Sequence, residues 1–352
     1  MNQYMKKLIE ELDNRSGRAV SLLLDSNILY KDEFTDELVN SNNPFYIYNA
    51  ARNIKGLDLV ILSNAIIKTN NLDYIYKFAK DVKDAPIDIL ENAITKSNSP
   101  YYICLFARDV SGANKKKLAR ILLQINNYTY IEYFANNVKN GLNILLDVVI
   151  ESKNAEYIYN FAINFKYHLD ELTITITGTS NPEYIYLFAR DLQNIDICKL
   201  ESAIISTKNS KYIYLLAKDV KGANIINLEK SIIKLNEAEY IYLFAKDVNE
   251  SNSLLLQDAI IKSNSAEYIY KFAKDVKNAD INKLFDAIIK TNNYEYIFYF
   301  SLLVSKEKLK QIGDILVNDA FYLALFNELI SNPNFINYQN NRETAMKRVL
   351  KK

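Results

Sequence analysis

The chain has 352 residues, with 43 Lys+Arg against 42 Asp+Glu and a formal net charge of +1. That length fits two or three ordinary domains or one extended array, and the even charge removes the strongly basic surface that favours nucleic acid or anionic membrane. Two cysteines, Cys104 and Cys198, are too few for a disulfide framework and read as free thiols in a reducing compartment.

Tryptophan is absent and tyrosine reaches 27, and Asn, Lys and Ile are abundant, a usage that fits an AT-rich coding sequence of a low-GC bacterium or its phage. The opening MNQYMKKLIEELDNRSG has no continuous apolar segment and no run of eighteen apolar residues follows, so a cytoplasmic protein without a membrane span is expected. In chain order, residues 4–13 are predicted to form a short amphipathic cap helix. Residues 18–44 read as a decayed repeat, with Leu22, Leu23, Phe34 and Leu38 in its apolar columns, so 1–44 is expected to be an N-terminal cap.

A repeat then begins. The first tyrosine of each YIY-like block falls at Tyr46, Tyr74, Tyr102, Tyr130, Tyr157, Tyr184, Tyr212, Tyr240, Tyr268 and Tyr296, a period of 28 with two steps of 27. Counting that tyrosine as position one, position two is Ile in all ten repeats, position five is mostly Phe and position six mostly Ala. The i, i+3, i+4, i+7 set Ile269, Phe272, Ala273, Val276 is helical. Pro44, Pro100 and Pro182, each after an Asn or Ser, mark the start of this first helix. Its end is expected near position ten, where Gly56, Gly112, Gly222, Asp84 or Asn278 follows. A short loop with a capping Asn or Asp leads to a second helix, as in Ile281, Leu284, Ala287, Ile288.

One such two-helix brick is too thin to stand alone, so copies must stack. The predicted fold is all-α, a right-handed α-solenoid of about ten 27–28-residue repeats over 45–320, with helical caps. An irregular joint is expected at about 130–183, where the period shortens, Glu132 replaces a tyrosine, and TITITGTSNP is β-branched. Residues 321–352 are predicted to be C-terminal cap helices, with Tyr322, Leu323 and Phe326 echoing the motif and a last helix over about 340–352.

Projected at 100° per residue, positions two, five, six and nine face the core, positions one and three pack between repeats, and positions four, seven and eight face outward. Position seven is basic at Arg52, Lys80, Arg108, Arg190, Lys218, Lys246 and Lys274; position eight is acidic at Asp81, Asp109, Asp191, Asp219, Asp247 and Asp275. Asp near a helix C-terminus opposes the dipole, so the column needs compensation. An inter-repeat ladder with the cations supplies it, or a bond from a tyrosine hydroxyl or loop N–H. Position four varies, and Leu187, Leu215 and Leu243 form an apolar stripe there, with Lys271 further on. A partner is expected along the face that carries positions four, seven and eight, with contacts at positions four and seven.

No Cys/His metal spacing, Gly-rich phosphate loop or nucleophile elbow is present, and the single histidine, His168, lies in the joint. No enzyme activity, cofactor or metal is expected. The YIY-x-FAKDV…AII block resembles helical-repeat proteins of the HEAT, armadillo and tetratricopeptide class, and short-repeat hypothetical proteins of low-GC bacteria and their phages. Its period is shorter than in those classes, and the tetratricopeptide Trp/Gly/Pro positions are not matched. The resemblance implies binding to proteins or peptides. The function expected is a non-enzymatic scaffold, such as an inhibitor or adaptor in a phage–host contest. The alternatives are a single-stranded RNA or DNA-binding array, suggested by Tyr214/Lys218 and Tyr242/Lys246, and a structural spacer. Oligomeric state is left open.

Overall fold

A computed structural model describes residues 28–331, together with Lys7 and Ile9. The cap helices expected at 4–13 and 340–352, apart from Lys7 and Ile9, lie outside the described residues, as do Leu22 and Leu23. The described residues hold twenty-two α-helices and no strand. The tyrosine-rich stretches are helical despite their β-prone composition.

The chain divides into two compact units, Met1–Ser152 and Lys153–Lys352. In the first, after the helix Ile28–Ser41 that buries Phe34 and Leu38, first and second helices alternate. The first helix Leu72–Asp81 packs between the first helices Pro44–Asn53 and Pro100–Asp109, and the second helix Ile87–Lys96 packs on the second helix Leu59–Lys68. In the second unit, Pro182–Asp191 lies between Ala155–Phe165 and Ser210–Asp219 and against its own second helix, Ile197–Ser206. Each unit is therefore a row of first helices backed by a row of second helices, the stacking of an α-solenoid. The core lies between the rows. Ile185, Phe188 and Ala189 on the first helix and Leu200 and Ile204 on the second helix packed against it are all buried, and the same columns recur along the chain.

The first helices stop earlier than the sequence predicts. They end at position eight in most repeats, and the position-nine residue is extended, its N–H donating back to the position-five carbonyl, as Ile54 does to Ala50 at 2.9 Å. The left-handed column at position eleven, with Gly56, Asp84, Gly112, Asn194, Gly222 and Asn278, lies inside the connection, not at the helix end. There it turns the chain toward the next N-cap. Asp58, Asn114, Asp196, Asn224, Asn252 and Asp280 then cap the second helices through their side chains.

A second left-handed column closes each second helix, four residues before the position-one tyrosine. It holds Asn42, Asn70, Asn98, Asn126, Lys153, Ser180, Lys208, Asn236, Asn264 and Asn292. Asn tolerates this conformation best among non-glycine residues, which accounts for the recurring Asn before each tyrosine block.

The two 27-residue repeats shorten at the connection. Five residues, such as 110–114, join the helices in the Tyr102 repeat, but only 138–140 and 166–168 do so in the Tyr130 and Tyr157 repeats. The tighter turn brings Gly141 against the preceding helix: a Cβ there would stand 2.2 Å from the Phe134 carbonyl oxygen. The β-branched stretch forms an ordinary second helix, Leu169–Gly178, in which Thr173 and Thr175 return their hydroxyls to the carbonyls of Leu169 and Glu171.

Candidate binding face

The first-helix row is tied together by tyrosine–aspartate bonds. The position-three tyrosine of one repeat donates its hydroxyl to the position-eight Asp of the next. Tyr48 reaches Asp81 at 2.7 Å, Tyr159 reaches Asp191 at 2.8 Å, Tyr186 reaches Asp219 at 2.6 Å, Tyr214 reaches Asp247 at 2.5 Å and Tyr242 reaches Asp275 at 2.5 Å. Tyr76 bonds Asp109 in the same way. These rungs occur at two steps in the first unit and four in the second. They are absent where Cys104 or Glu132 takes the tyrosine's place, and after Tyr270, where the residue 33 positions on is Leu303. Cys104 is buried, its thiol meets the Tyr130 carbonyl at 3.3 Å, and burial pushes its pKa up to about 12.

The position-seven cations divide into two groups. Lysines reach forward along the rung: Lys218 lies 2.9 Å from the Tyr214 hydroxyl and 3.1 Å from Asp247, and Lys246 lies 3.1 Å from Tyr242 and 3.9 Å from Asp275. Lys80 sits 5.5 Å over the Tyr76 ring, and Arg52 donates to the Tyr48 hydroxyl at 3.3 Å. Two arginines instead clasp the Asp beside them. Arg108 grips Asp109 through two nitrogens at 2.7 Å, and Arg190 grips Asp191 at 2.6 and 2.8 Å. Neighbours on a helix do not ordinarily face each other, but at the last turn a guanidinium is long enough to fold back. Lys274 is half-buried.

These contacts fix the protonation of the rungs. The Arg108 guanidinium, helped by the Tyr76 hydroxyl against partial burial, holds the Asp109 carboxyl down to about 2. Arg190 lowers Asp191 likewise. Burial, then the bond to a carboxylate, raises the phenols of Tyr48, Tyr76, Tyr186, Tyr214 and Tyr242, and pushes Tyr159 up to about 12. A phenol that donates to a carboxylate resists losing its proton.

The position-one tyrosines continue the stack. Where the preceding repeat has a position-three tyrosine, each ring tilts against it, with centroids 5.9 Å apart for Tyr48 and Tyr74 and 6.0 Å for both Tyr186 with Tyr212 and Tyr242 with Tyr268. Apart from the half-buried Tyr159, the position-three tyrosine rings are buried, while those at position one are half-buried.

Leu187, Leu215 and Leu243 are half-buried rather than fully exposed, because like helices flank each first helix on both sides. The most exposed apolar residues of the second unit's repeats lie instead on, or at the end of, second helices: Val317 at 65%, Ile226 at 64%, Ile174 at 60%, Leu254 at 59% and Leu255 at 52%. Lys271, at position four, bonds Glu267 at 2.6 Å, and Tyr299, also at position four, donates to Glu295 at 2.9 Å.

The second-helix row has its own polar ladder, which the repeat pattern alone did not reveal. Glu91, Glu201, Glu229 and Gln257 are buried in one column. Each accepts the backbone N–H of the N-cap residue of the next second helix: Asn114 at 2.7 Å, Asn224 at 2.8 Å, Asn252 at 2.6 Å and Asp280 at 2.7 Å. The signal for it is an acid or amide in LENAI, LESAI, LEKSI and LQDAI, directly after a core leucine.

His168 is exposed, at the start of Leu169–Gly178 and 3.4 Å from Glu171. Cys198 is exposed. Among the described residues no cluster of three His, Cys, Asp or Glu could hold a metal, and no helix is long and apolar enough to cross a membrane. No protein-family profile matches the chain. No curated protein matches it either. Among solved structures, a circular tandem repeat protein with novel repeat topology and enhanced subunit contact surfaces is similar over 99% of this chain and 84% of its own, at 10% identity and a TM-score of 0.20.

Proposed function

We propose that the chain is a non-enzymatic scaffold that binds a protein or peptide along its first-helix face. The observation that carries this reading is a contrast between neighbouring columns. Positions three and eight are committed to bonds inside the array, repeat after repeat, and most position-seven cations join them. Position four lies between them, partly open to solvent, and changes from Asn49 through Leu187, Leu215 and Leu243 to Lys271 and Tyr299. A fixed framework that carries one variable, partly exposed column can read a partner without losing its fold. Cytoplasmic action, as an adaptor or inhibitor in a phage–host setting, is compatible with this reading.

A nucleic-acid array is disfavoured by the same contacts. Base stacking needs open aromatic faces, yet the position-three tyrosine rings, Tyr159 apart, are buried. Phosphate contacts need free cations, yet Lys218 and Lys246 already serve tyrosine and aspartate. A pure spacer leaves the variation at position four without a purpose.

Selection of a displayed random-peptide library on the purified protein tests the scaffold. Peptides enriched on the wild type and lost on a folded Leu187→Glu/Leu215→Glu/Leu243→Glu variant support it. Absence of enrichment, or retention on the variant, rules this face out.

A further inference from the structure

The chain itself shows what its first-helix face accepts. In the Tyr268 repeat, Lys271 at position four turns back toward Glu267, the residue just before the tyrosine. Its Nζ lies 2.6 Å from the carboxylate and 4.8 Å from the centre of the Tyr268 ring. In the Tyr74 repeat, Lys77 does the same, 2.6 Å from Asp73 and 5.0 Å from the Tyr74 ring. An acid, a tyrosine face and an ammonium thus meet twice in two separate repeats. Carboxylate and ring quadrupole attract the same cation.

Four repeats keep the acid and the ring but change the third member: it is Asn160 beside Glu156 and Tyr157, Tyr299 (which itself bonds the acid) beside Glu295 and Tyr296, and a leucine in the other two. Glu183 with Tyr184, and Glu239 with Tyr240, stand in the same register, and position four is Leu187 or Leu243. Both carboxylates are exposed, and neither has an ion pair among the described residues. After burial, glutamates are the main influence raising the phenols beside them: Glu156 and Glu183 at Tyr184, Glu239 and Glu237 at Tyr240. The position-seven cations do not relieve this charge, because Arg190 is taken by Asp191, and Lys246 by Tyr242 and Asp275.

We propose that this face captures basic side chains of a partner protein segment, one seated at Glu183–Tyr184 and one at Glu239–Tyr240, as Lys271 is seated at Glu267–Tyr268. The proposal rests on the scaffold reading and names its partner. A partner lysine there lays its methylene stem on Leu187 or Leu243, as amphipathic side chains do. Lys211 occupies the acid's place in the intervening repeat and repels a third cation. The two seats are two helices apart, roughly 20 Å at 8–10 Å per helix, which about six residues of extended chain span. The partner segment is therefore extended in the polyproline II manner, three residues per turn at about 3.1 Å per residue, so that two basic residues six apart share one face with the apolar residue midway between them, which lies over Leu215.

Fluorescence anisotropy with the labelled peptide KLSLSLK tests this, with ELSLSLE and KKLSLSL as controls. KLSLSLK is expected to bind more tightly than either control, with affinity falling as salt rises. Glu183→Gln and Glu239→Gln should each weaken it by up to about fivefold, the loss of one exposed ion pair. Leu187→Lys and Leu243→Lys, which supply the ammonium from within, should weaken it similarly. Lys271→Leu releases Glu267 and should tighten an extended probe, KLSLSLKLLK. Equal binding of ELSLSLE, or indifference to the Glu→Gln changes, overturns the proposal. The library selection separates the two readings. Enriched peptides that need the leucines but carry no Lys or Arg overturn this inference and leave the scaffold standing, whereas no enrichment removes both.

Discussion

Tyr214 and Asp247 lie 33 residues apart in sequence and 2.5 Å apart in space, and Lys218 touches both, 2.9 Å from the hydroxyl and 3.1 Å from the carboxylate. The arrangement explains why an Asp sits where a helix dipole disfavours it. Its negative charge receives a hydroxyl from the previous repeat, and that bond is available only when two repeats are docked. The rung therefore reports on the interface and contributes little to either helix alone.

Replacing Tyr214 by Phe keeps the ring and removes the donor, so Asp247 loses one partner in a partly buried place. A loss of roughly 1.5–3 kcal/mol is expected, the range for a hydrogen bond to a charged group. Asp247→Asn should cost a similar amount, and the double variant less than the sum, because both changes remove one interaction. Urea unfolding of the four proteins measures the coupling. Strict additivity would mean that the rung carries no interaction energy.

The rungs also set a pH window. Asp109 is held down to about 2, so its charged form is favoured by folding; that stability is complete above the ordinary carboxylate range near pH 4 and is lost as pH falls toward 2. Tyr159 is raised to about 12, so its protonated form is favoured, and that stability is complete below about pH 10 and is lost as pH rises through 12. Asp191 and the other rung tyrosines shift in the same senses. Unfolding midpoints should fall at both extremes, and Tyr159→Phe should blunt the alkaline limb and, by removing a donor to Asp191, part of the acid limb too. An unchanged alkaline limb in that variant would sink the assignment.

The sequence made the helical brick and its stacking legible, because ten copies of one apolar pattern leave little choice of partner. Both bonding columns were visible as columns. The pairing of Tyr48 with Asp81 depends on how one helix is offset from the next, and no periodicity within a repeat encodes that offset. The second-helix ladder went unread because Glu201 and Glu229, in an amphipathic helix, look like solvent-facing charges until the neighbouring N-cap is placed against them. The early stop of the first helices was hidden because position nine, as in Val82 or Val220, is apolar and continues the helical pattern while adopting an extended backbone.

The left-handed column before each tyrosine block gives a stability prediction. Asn fills seven of its ten places, but Lys208 adopts φ 56° and Lys153 φ 50°. A lysine has no local hydrogen bond to repay that conformation, whereas Asn does. Lys208→Asn should stabilise the second unit by a few tenths to about 1 kcal/mol, and Asn236→Val should destabilise it by more, since a β-branched side chain resists positive φ. Thermal melts of the two single variants decide the matter; a Lys208→Asn protein that melts below the wild type would contradict it.

Glu229 provides the last test, because its ladder contact and its burial pull in opposite directions. Burial raises its carboxyl pKa, and the Asn252 N–H, 2.6 Å away, only partly offsets that rise. Its protonated form is therefore favoured by folding, so its contribution to stability is largest in acid and declines as pH rises through the raised value. Gln257 occupies the same column one repeat on, accepts the Asp280 N–H at 2.7 Å, and leaves its Nε2 buried without a partner. Glu229→Gln should copy that state: it keeps the acceptor, adds an unsatisfied donor and removes the titration. Whatever its stability at pH 5, the variant should gain relative to the wild type on moving to pH 7. Urea midpoints at the two pH values measure this difference, and amide exchange at Asn252 shows whether the bond persists. A difference between variant and wild type that stays constant with pH would mean that Glu229 titrates as it does in the unfolded chain.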